Sequence, residues 1–253
     1  MAKQKQKTVI ITGGTKGIGA AITQEFSKNG LSVVIGARHD NGFTRKLGSQ
    51  VRFCSMDVRR EKDHERLIKT ALDWTQRADI YINCAGFSGW RPIIKIDETF
   101  FHEMIDVNLK GTFWGCKAAA KHLTRGGTII NISSLAGKRG SANNSVYCAS
   151  KFGVIGLTQS LAKELGPLGI RVNAVCPVYV KTPGVLAALQ NKDSPARGKD
   201  VEKYLKTFSD QNAPLGRLPL DEEIAKICLF LASDAAGAIT GQSINVDCGV
   251  FPQ

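Results

Sequence analysis

The stretch Thr12-Gly13-Gly14-Thr15-Lys16-Gly17-Ile18-Gly19 decides the fold of this chain. It follows an apolar run and precedes a segment with helical periodicity. Glycines in such a turn let the backbone bend sharply and let a pyrophosphate approach the free N–H groups at the helix start. The spacing is Gly-x-x-x-Gly-x-Gly, and a glycine turn alone is a weak signal. Its place directly after a strand-like run predicts a dinucleotide-binding turn.

Outward from this turn, short apolar runs alternate with longer amphipathic segments. Strands are predicted at Thr8–Thr12, Ser32–Ala37, Val51–Met56, Ile80–Asn83, Thr128–Ile132, Arg171–Val175 and Ser243–Val246. Helices are predicted at Ile18–Lys28, Lys62–Gln76, Phe113–Leu123, Val146–Leu165 and Asp221–Ala232. Strand and helix in alternation indicate an α/β fold, a doubly wound Rossmann-type parallel sheet with helices on both faces. We expect a single domain over residues 1–253.

Composition narrows the class of protein. Hydrophobic residues make up 43% of the chain, and no apolar run approaches the roughly 20 residues of a membrane span. The start of the chain carries no apolar signal segment, so we expect a cytoplasmic protein without membrane contact. The seven cysteines are scattered without metal-ligand spacing, which favours reduced thiols and no metal site.

The charge balance is strongly basic. The chain has 34 basic and 22 acidic residues, a formal charge of +12. Such a field attracts phosphorylated cofactors and anionic substrates, and nucleic acid is the alternative partner. The basic residues are dispersed and form no basic-aromatic recognition motif, so we expect no nucleic-acid binding.

The end of the second predicted strand bears on which nicotinamide cofactor binds. An NAD site usually offers a carboxylate there, whereas an NADP site needs a cation for the 2′-phosphate. Here Arg38 and His39 end the strand, and no acidic residue occurs before Asp40. Arg38 could bind the phosphate bidentately and Lys16 could reach the same group. The alternative is that both cations face solvent. The sequence favours NADP(H) over NAD(H).

Tyr147 and Lys151 form a candidate acid/base pair. Residues at i and i+4 share a helix face, so the phenol and the ammonium can point into one cleft. A free phenol has a pKa of about 10, and a nearby cation favours the phenolate. We expect a lowering of roughly three units to bring Tyr147 near its working pH. This spacing is common by chance on surface helices, so its context decides.

That context comes from polar and small residues that occur in sequence along the chain, most of them where a predicted strand ends. Asn83-Cys84-Ala85-Gly86 ends the fourth strand, Asn108 interrupts a helical run, and Ser133-Ser134 ends the fifth strand. Pro177 and Thr182 follow the sixth strand. The carboxyl ends of parallel strands meet at one sheet edge, where ligands of open α/β sheets bind. We therefore expect Ser134 to lie near the Tyr147 and Lys151 side chains.

Together these motifs resemble the short-chain dehydrogenase/reductase family, in its compact single-domain branch, from Thr8 to about Gly249. The resemblance implies a catalytic tetrad of Asn108, Ser134, Tyr147 and Lys151. It implies that Asp57 and Val58 sit beside adenine, and that Val180 and Thr182 hold the nicotinamide carboxamide and phosphates. The expected cofactor-binding set is Thr12, Gly13, Thr15, Lys16, Gly17, Ile18, Gly19, Arg38, Asp57, Val58, Asn83, Ala85, Gly86, Tyr147, Lys151, Pro177, Val178, Val180 and Thr182. The last strand of the family lies at a subunit interface, which implies a homotetramer.

One departure from the family pattern concerns Val178, where the family usually has glycine after Pro177. Valine disfavours positive φ, so the turn either uses ordinary φ or is rebuilt. Val178 and Tyr179 are expected to narrow the nicotinamide pocket. Four cations would make its mouth basic, or they are simply solvated: Lys181, Lys192, Arg197 and Lys199.

The sequence thus predicts an NADP(H)-dependent oxidoreductase that transfers a hydride between nicotinamide and a secondary alcohol or carbonyl compound. A sugar- or polyol-like substrate is slightly favoured, because carrier-protein reductases commonly place Arg near the positions of Thr128 and Leu168, although Arg125 lies close. The alternatives are a 3-oxoacyl-carrier-protein reductase and a non-catalytic dinucleotide-binding regulatory protein. Residues 182–219 are too long for an ordinary connection and are predicted to form a substrate lid, an exterior helical insertion, or both.

Overall fold

The computed structural model describes residues 6–40 and 42–252 of the chain. Seven strands form one sheet in the order β3-β2-β1-β4-β5-β6-β7, and every neighbouring pair is parallel. The strands are β1 Thr8–Thr12, β2 Ser32–Ala37, β3 Val51–Ser55, β4 Ile80–Asn83, β5 Thr128–Ile132, β6 Arg171–Pro177 and β7 Ser243–Val246. The predicted doubly wound sheet is confirmed.

In the part of the chain that the structure describes, eight α-helices connect or flank the strands. They are α1 Gly17–Lys28, α2 Glu61–Thr75, α3 Glu98–Ile105, α4 Gly111–His122, α5 Ser145–Leu165, α6 Pro183–Leu189, α7 Val201–Asn212 and α8 Asp221–Ala232. A π-helical turn, Asp106–Lys110, joins α3 to α4. Within residues 6–40 and 42–252, no helix combines the length and the apolar character needed to cross a bilayer.

The sheet is covered on both faces because its strands are apolar on both. All five residues of β1 are buried, and Val9 and Ile11 pack with α1 and α8 on one face. Ile10 points the other way and packs with α2, α4 and α5. Successive side chains of a strand alternate between faces, so a continuous apolar run needs two helical layers.

The observed strands depart from the predicted ones at two ends, and helix ends differ from prediction by up to two residues. β3 ends at Ser55, one residue before the predicted end, and β6 continues two residues further to Pro177. The helix Glu98–Ile105 was not predicted. It begins where the carboxylate of Asp97 accepts a hydrogen bond from the backbone N–H of Phe100 at 2.8 Å, an ordinary helix N-cap.

Residues 182–219 contain the helices α6 and α7. The insertion has its own apolar cluster. Leu189 and Leu205 are fully buried, and they pack with Trp90 from the loop after β4. The cluster attaches the insertion to the body of the domain beside the carboxyl ends of the strands.

Candidate active site

A cleft of about 610 Å³ opens at the carboxyl ends of the strands. Its walls come from the turn after β1, the ends of β2 to β6, α5 and the start of α6. β1 pairs with β2 on one side and with β4 on the other, so the cleft lies where the strand order reverses. Ligands of doubly wound folds bind at this switch point.

The glycine turn, Gly13–Gly19, forms one end of the cleft. Gly13 has a φ of +73°, and a Cβ there would lie 2.8 Å from the Cα of Ala85. Gly17 has a φ of +53° and is the first residue of α1. The side chain of Lys16, the N-cap residue of this helix, makes no capping hydrogen bond. The first N–H groups of α1 are therefore left to a ligand, and their positive dipole end favours an anion.

The exposed side chain of Arg38 lines the cleft together with Lys16. Asp40 carries the first carboxylate after β2, and its side chain is hydrogen-bonded within its own loop. Asp40 accepts hydrogen bonds from the backbone N–H of Thr44 at 2.9 Å and from its hydroxyl at 2.6 Å. Both oxygens of Asp40 are thereby engaged in a local turn. This end of the cleft presents cations.

Asp57 and Val58 line the cleft after β3. The carboxylate of Asp57 accepts hydrogen bonds from the guanidinium of Arg59 at 2.6 Å and 3.0 Å, and this bonding lowers the pKa of Asp57. The backbone N–H of Asp57 donates to Asp63 at 2.9 Å. The start of α2 thus holds this loop in place.

Lys151 is buried at the opposite end of the cleft. Its Nζ donates to the backbone oxygen of Ile132, at the end of β5, over 2.8 Å. The same Nζ lies 5.7 Å from the ring centroid of Tyr147. Burial disfavours the ammonium and lowers the pKa of Lys151 to about 8.

Tyr147 does not have the lowered pKa that the sequence suggested. Burial raises its pKa to about 12, and this exceeds the opposite effect of its hydrogen bond with Ser134. The expectation of a roughly three-unit lowering is wrong in this state, because loss of water penalises the phenolate more than its neighbours stabilise it. The phenol is a proton donor at neutral pH.

Ser134 follows β5 by two residues and lies beside the phenol. Its hydroxyl accepts a hydrogen bond from the N–H of Ala136 at 3.1 Å and lies 3.5 Å from the backbone oxygen of Pro177. The neighbouring Ser133 donates to the backbone oxygen of Lys151 at 3.0 Å, which ties the strand end to α5. The segment that carries Ser134 is therefore fixed to the helix that carries Lys151.

Asn108 lies in the π-helical turn and is fully buried. Its Nδ2 donates to the backbone oxygen of Phe87 at 2.9 Å, and its Oδ1 accepts from the Phe87 N–H at 3.0 Å. A Cβ on Gly86 would lie 2.9 Å from that Oδ1 and 3.6 Å from Nζ of Lys151. Asn108 thus fixes the loop after β4 and stands behind Lys151.

Two further predicted residues support the cleft from behind. The hydroxyl of Thr12 accepts hydrogen bonds from the N–H groups of Cys84 and Ala85 at 3.2 Å and 3.3 Å. Asn83 is 3% exposed, and its Nδ2 donates to Oδ1 of Asn131 at 2.9 Å. The side chain of Asn83 therefore braces the central strands. The other predicted residues line the cleft: Gly13, Thr15, Lys16, Gly17, Ile18, Gly19, Arg38, Asp57, Val58, Ala85, Gly86, Ser134, Tyr147, Lys151, Pro177, Val178, Val180 and Thr182.

The backbone φ of Val178 lies outside the left-handed region, so the turn uses ordinary φ. Its side chain lines the cleft and packs against the apolar cluster of the insertion. The expected basic mouth has no counterpart in the cleft wall, which contains none of the four cations. Lys181 forms an ion pair with Glu202 at 2.5 Å, while the other three are exposed.

Sequence reasoning missed several cleft residues. His39 and Arg59 directly follow predicted cofactor positions, so their neighbourhood was a usable signal. Phe87 follows the predicted Gly86 in the same way. Glu103 carried no signal, because the helix that presents it was itself not predicted.

Comparison with known proteins shows which family shares this sequence and fold. A family model described as enoyl-(acyl-carrier-protein) reductase matches residues 13–251. The chain belongs to the short-chain dehydrogenase/reductase family. This confirms the resemblance on which the tetrad was assigned. Short-chain dehydrogenases/reductases are oxidoreductases of CH–OH or carbonyl groups that bind a nicotinamide dinucleotide.

Relatives within the family span nearly the whole chain. A putative ketoacyl reductase of the monensin polyketide synthase from Streptomyces virginiae is 35% identical, with 98% of each chain covered. A variant of actinorhodin polyketide ketoreductase, solved with NADPH, has a TM-score of 0.89 at 31% identity and 99% coverage of both chains. Aldohexose dehydrogenase from Thermoplasma acidophilum has a TM-score of 0.87 at 31% identity and 98% coverage of both.

Proposed function

We propose that this protein is an NADP(H)-dependent oxidoreductase that transfers a hydride between nicotinamide and a secondary alcohol or carbonyl substrate. One observation carries the proposal. The cleft holds Tyr147, Ser134 and Lys151 at one end and presents Arg38 and Lys16 at the other. A proton donor and a phosphate-binding end in one continuous cleft suit a dinucleotide and a small molecule together.

The residues present fit the cofactor. The uncapped start of α1 and the close approach at Gly13 leave a cradle of N–H groups for the pyrophosphate. At the far end, Arg38 and Lys16 would hold the 2′-phosphate. Asp40, the first carboxylate after β2, does not line the cleft and accepts hydrogen bonds from Thr44. These features support NADP(H) over NAD(H).

The chemistry then divides between nicotinamide and protein. Bound nicotinamide supplies the hydride to a carbonyl carbon or takes it from an alcohol carbon. Tyr147 donates its phenolic proton to the developing alkoxide, and in the reverse direction it takes the proton back. The hydroxyl of Ser134 donates a hydrogen bond to the same oxygen. The Lys151 ammonium stabilises the charge left on the phenolate.

Two substrate classes are candidates, and the walls near the phenol favour one of them. Val178 and Val185 line the cleft, and Tyr179 packs beneath them in the insertion cluster. A sugar needs polar partners for each buried hydroxyl, whereas an oxoacyl chain is suited to apolar walls. We therefore propose an oxoacyl-type carbonyl substrate ahead of the sugar- or polyol-like one. The ketoacyl reductase among the relatives supports this order.

We propose that residues 182–219 act as the substrate lid. The start of α6 lines the cleft, and the hydroxyl of Thr182 caps that helix by accepting from the N–H of Val185 at 3.3 Å. Asn143, four residues before Tyr147, donates to the backbone oxygen of Asp193 at 3.0 Å. These contacts would couple the position of the lid to the catalytic helix.

A homotetramer is the assembly we propose. Phe113 on α4 and Phe152 on α5 are 45% and 47% exposed, which is costly for large apolar side chains. The four residues of the edge strand β7 are only half-buried. Two separate surfaces of this kind suit the two interfaces of a tetramer with dihedral symmetry. Light scattering coupled to size-exclusion chromatography tests the mass.

The seven free cysteines support the expected reducing, cytoplasmic location.

The decisive experiment measures oxidation of NADPH and NADH with an acetoacetyl thioester and simple ketones, and reduction of NADP+ and NAD+ with an aldose. Cofactor affinity is measured in parallel. We expect turnover of the thioester with NADPH. Binding of NADPH without turnover of any carbonyl would instead favour the non-catalytic regulatory protein. Faster oxidation of the aldose than reduction of the thioester would reverse the order of the two substrate classes.

A further inference from the structure

A buried histidine and tyrosine stand behind the loop Asp57–Val58, which we name the β3 loop. His64 on α2 and Tyr81 on β4 are both 0% exposed. Nδ1 of His64 lies 2.8 Å from the Tyr81 hydroxyl, and Nε2 lies 2.9 Å from the backbone oxygen of Val58. A side chain of the sheet core is thus connected to the wall of the cleft through one imidazole.

The hydrogen-bond directions in this chain follow from its chemistry. The oxygen of Val58 can only accept, so Nε2 of His64 carries the proton. Nδ1 is then an acceptor, and the Tyr81 hydroxyl donates to it. Burial lowers the pKa of His64, although the charges of Asp63, Glu65 and Asp57 act to raise it. The lowered pKa keeps the imidazole neutral. Both ring nitrogens are satisfied in one orientation only.

The β3 loop is held at three points. His64 donates to the oxygen of Val58, and the carboxylate of Asp63 accepts from the N–H of Asp57 at 2.9 Å. The side chain of Val58 also packs against the start of α4, where a Cβ on Gly111 would lie 3.0 Å from its Cγ2. Asp57 and Val58 both line the cleft at the end that carries Arg38. The position of this cleft wall therefore depends on the two buried side chains behind it.

We propose that His64, oriented by Tyr81, is a positioning residue for the adenosine end of the bound dinucleotide. It touches neither substrate nor reacting atoms. It acts by fixing the Val58 carbonyl, and so the surface on which the adenosine part rests. The ligand in this inference is the one named under the proposed function, whereas the hold of His64 on the loop is independent of it.

Two substitutions separate the two hydrogen bonds of the imidazole. His64→Gln places an amide donor where Nε2 stands and keeps a donor for Val58. His64→Asn is shorter, so its amide stays near Tyr81 and leaves the Val58 carbonyl without a donor. Tyr81→Phe removes the hydroxyl that orients the ring and is the milder change. The Gln and Asn variants are matched in polarity, so a general effect of placing an amide in the core is common to both.

Affinity is measured by titration of NADPH and of 2′,5′-ADP, which carries only the adenosine end of the cofactor. We expect His64→Asn to weaken both ligands about tenfold, as loss of one positioning hydrogen bond allows, and His64→Gln to stay within about twofold of wild type. Tyr81→Phe should weaken both about threefold. The kcat at saturating NADPH should change less than twofold in all three variants.

Hydrogen exchange of the free protein measures how firmly the β3 loop is held when no ligand is bound. The Asp57 N–H should exchange at least tenfold faster in His64→Asn than in His64→Gln. Equal affinities and equal exchange in these two variants would overturn the proposal. If wild type binds neither NADPH nor 2′,5′-ADP, the proposed function fails, while the exchange comparison still decides the role of His64. If His64→Asn does not fold, Tyr81→Phe decides in its place, and unchanged affinity there overturns the proposal.

Discussion

The ammonium of Lys151 and the phenol of Tyr147 share one helix face, with Nζ 5.7 Å from the ring centroid. The closest bond of Nζ goes to the backbone oxygen of Ile132 at 2.8 Å. The pKa of the lysine is lowered to about 8 and that of the tyrosine is raised to about 12. At neutral pH the site therefore holds a neutral acid beside a cation, the protonation state that carbonyl reduction requires.

Replacing Tyr147 with Phe removes the phenolic proton and keeps the ring. We expect carbonyl reduction to slow at least a hundredfold, the lower end of what general acid catalysis contributes. The affinity for NADPH should change less than threefold, which a fluorescence titration checks. Wild-type turnover in this variant would contradict the proposed mechanism.

The rate of reduction should depend on pH through Lys151. Because its pKa is about 8, the ammonium is present below that pH and is lost above it, whereas the phenol stays protonated to about pH 12. We expect kcat/KM for reduction to be level between about pH 6 and 7.5 and to decline above about pH 8. NADPH affinity measured over the same range is the control. A decline that begins only near pH 10 or above would assign the limiting ionisation to Tyr147.

The buried charge of Lys151 should also cost stability. The folded pKa of about 8 lies below the usual 10.5, so the unfolded chain binds the proton more tightly between these values. The cost is complete below pH 8 and disappears as pH rises towards 10.5. We expect Lys151→Met to gain about 1–3 kcal/mol at pH 7 and to lose that advantage near pH 10. Thermal unfolding of both proteins at the two pH values checks the sign, and a variant less stable than wild type at pH 7 would refute it.

Arg38 should set the cofactor preference. Arg38→Asp replaces an attractive cation with a carboxylate that repels the 2′-phosphate and can bind ribose hydroxyls. We expect the ratio of kcat/KM for NADPH to that for NADH to fall by at least tenfold, and Lys16→Ala to lower it less. Lys28→Asp makes the same charge change at the far end of α1 and should leave the ratio unaltered. An unchanged ratio in the Arg38 variant would place that side chain away from the phosphate.

Val178 should limit the size of the substrate. Its side chain lies on the cleft wall and also packs against the insertion cluster. Val178→Gly should raise kcat/KM for a bulky ketone relative to a small one severalfold and lower the unfolding temperature by a few degrees. Ile224→Val, a small truncation of a fully buried residue of α8 that does not line the cleft, controls for loss of packing. The same size preference in Val178→Gly and wild type would make Val178 a packing residue only.

The sequence predicted the structure best where a single physical requirement determines the local residue pattern. Strands such as β1 are buried on both faces, so their apolar runs gave nearly correct ends. The closeness of Ser134 to the start of α5 was predictable, because the topology of a parallel sheet brings both to the same edge. Helix α3 was missed because its eight residues include few helix formers. The clearest sign of it in the sequence is Asp97, the residue that caps its N-terminus.

The protonation of the site was not predictable. The spacing of Tyr147 and Lys151 shows that they can meet, but their pKa values depend on how much water surrounds them. Burial comes from residues distant in sequence, such as Ile132 and Cys176 around Lys151. The role of Asp40 was equally hidden, because its two bonds to Thr44 belong to a turn whose geometry only the structure gives.

The place of the cleft at the β1–β4 junction has a consequence for how the protein folds. Its walls come from β1 to β3 on one side and from β4 to α6 on the other, so they meet only after long stretches of chain have found each other. Contacts of such sequence separation form slowly. A dinucleotide then binds only molecules in which both halves have docked, and by mass action it stabilises them by about 2.7 kcal/mol at a hundred times its Kd. The cofactor supply of the cell would therefore affect how much of this protein survives after synthesis, as well as how fast it works.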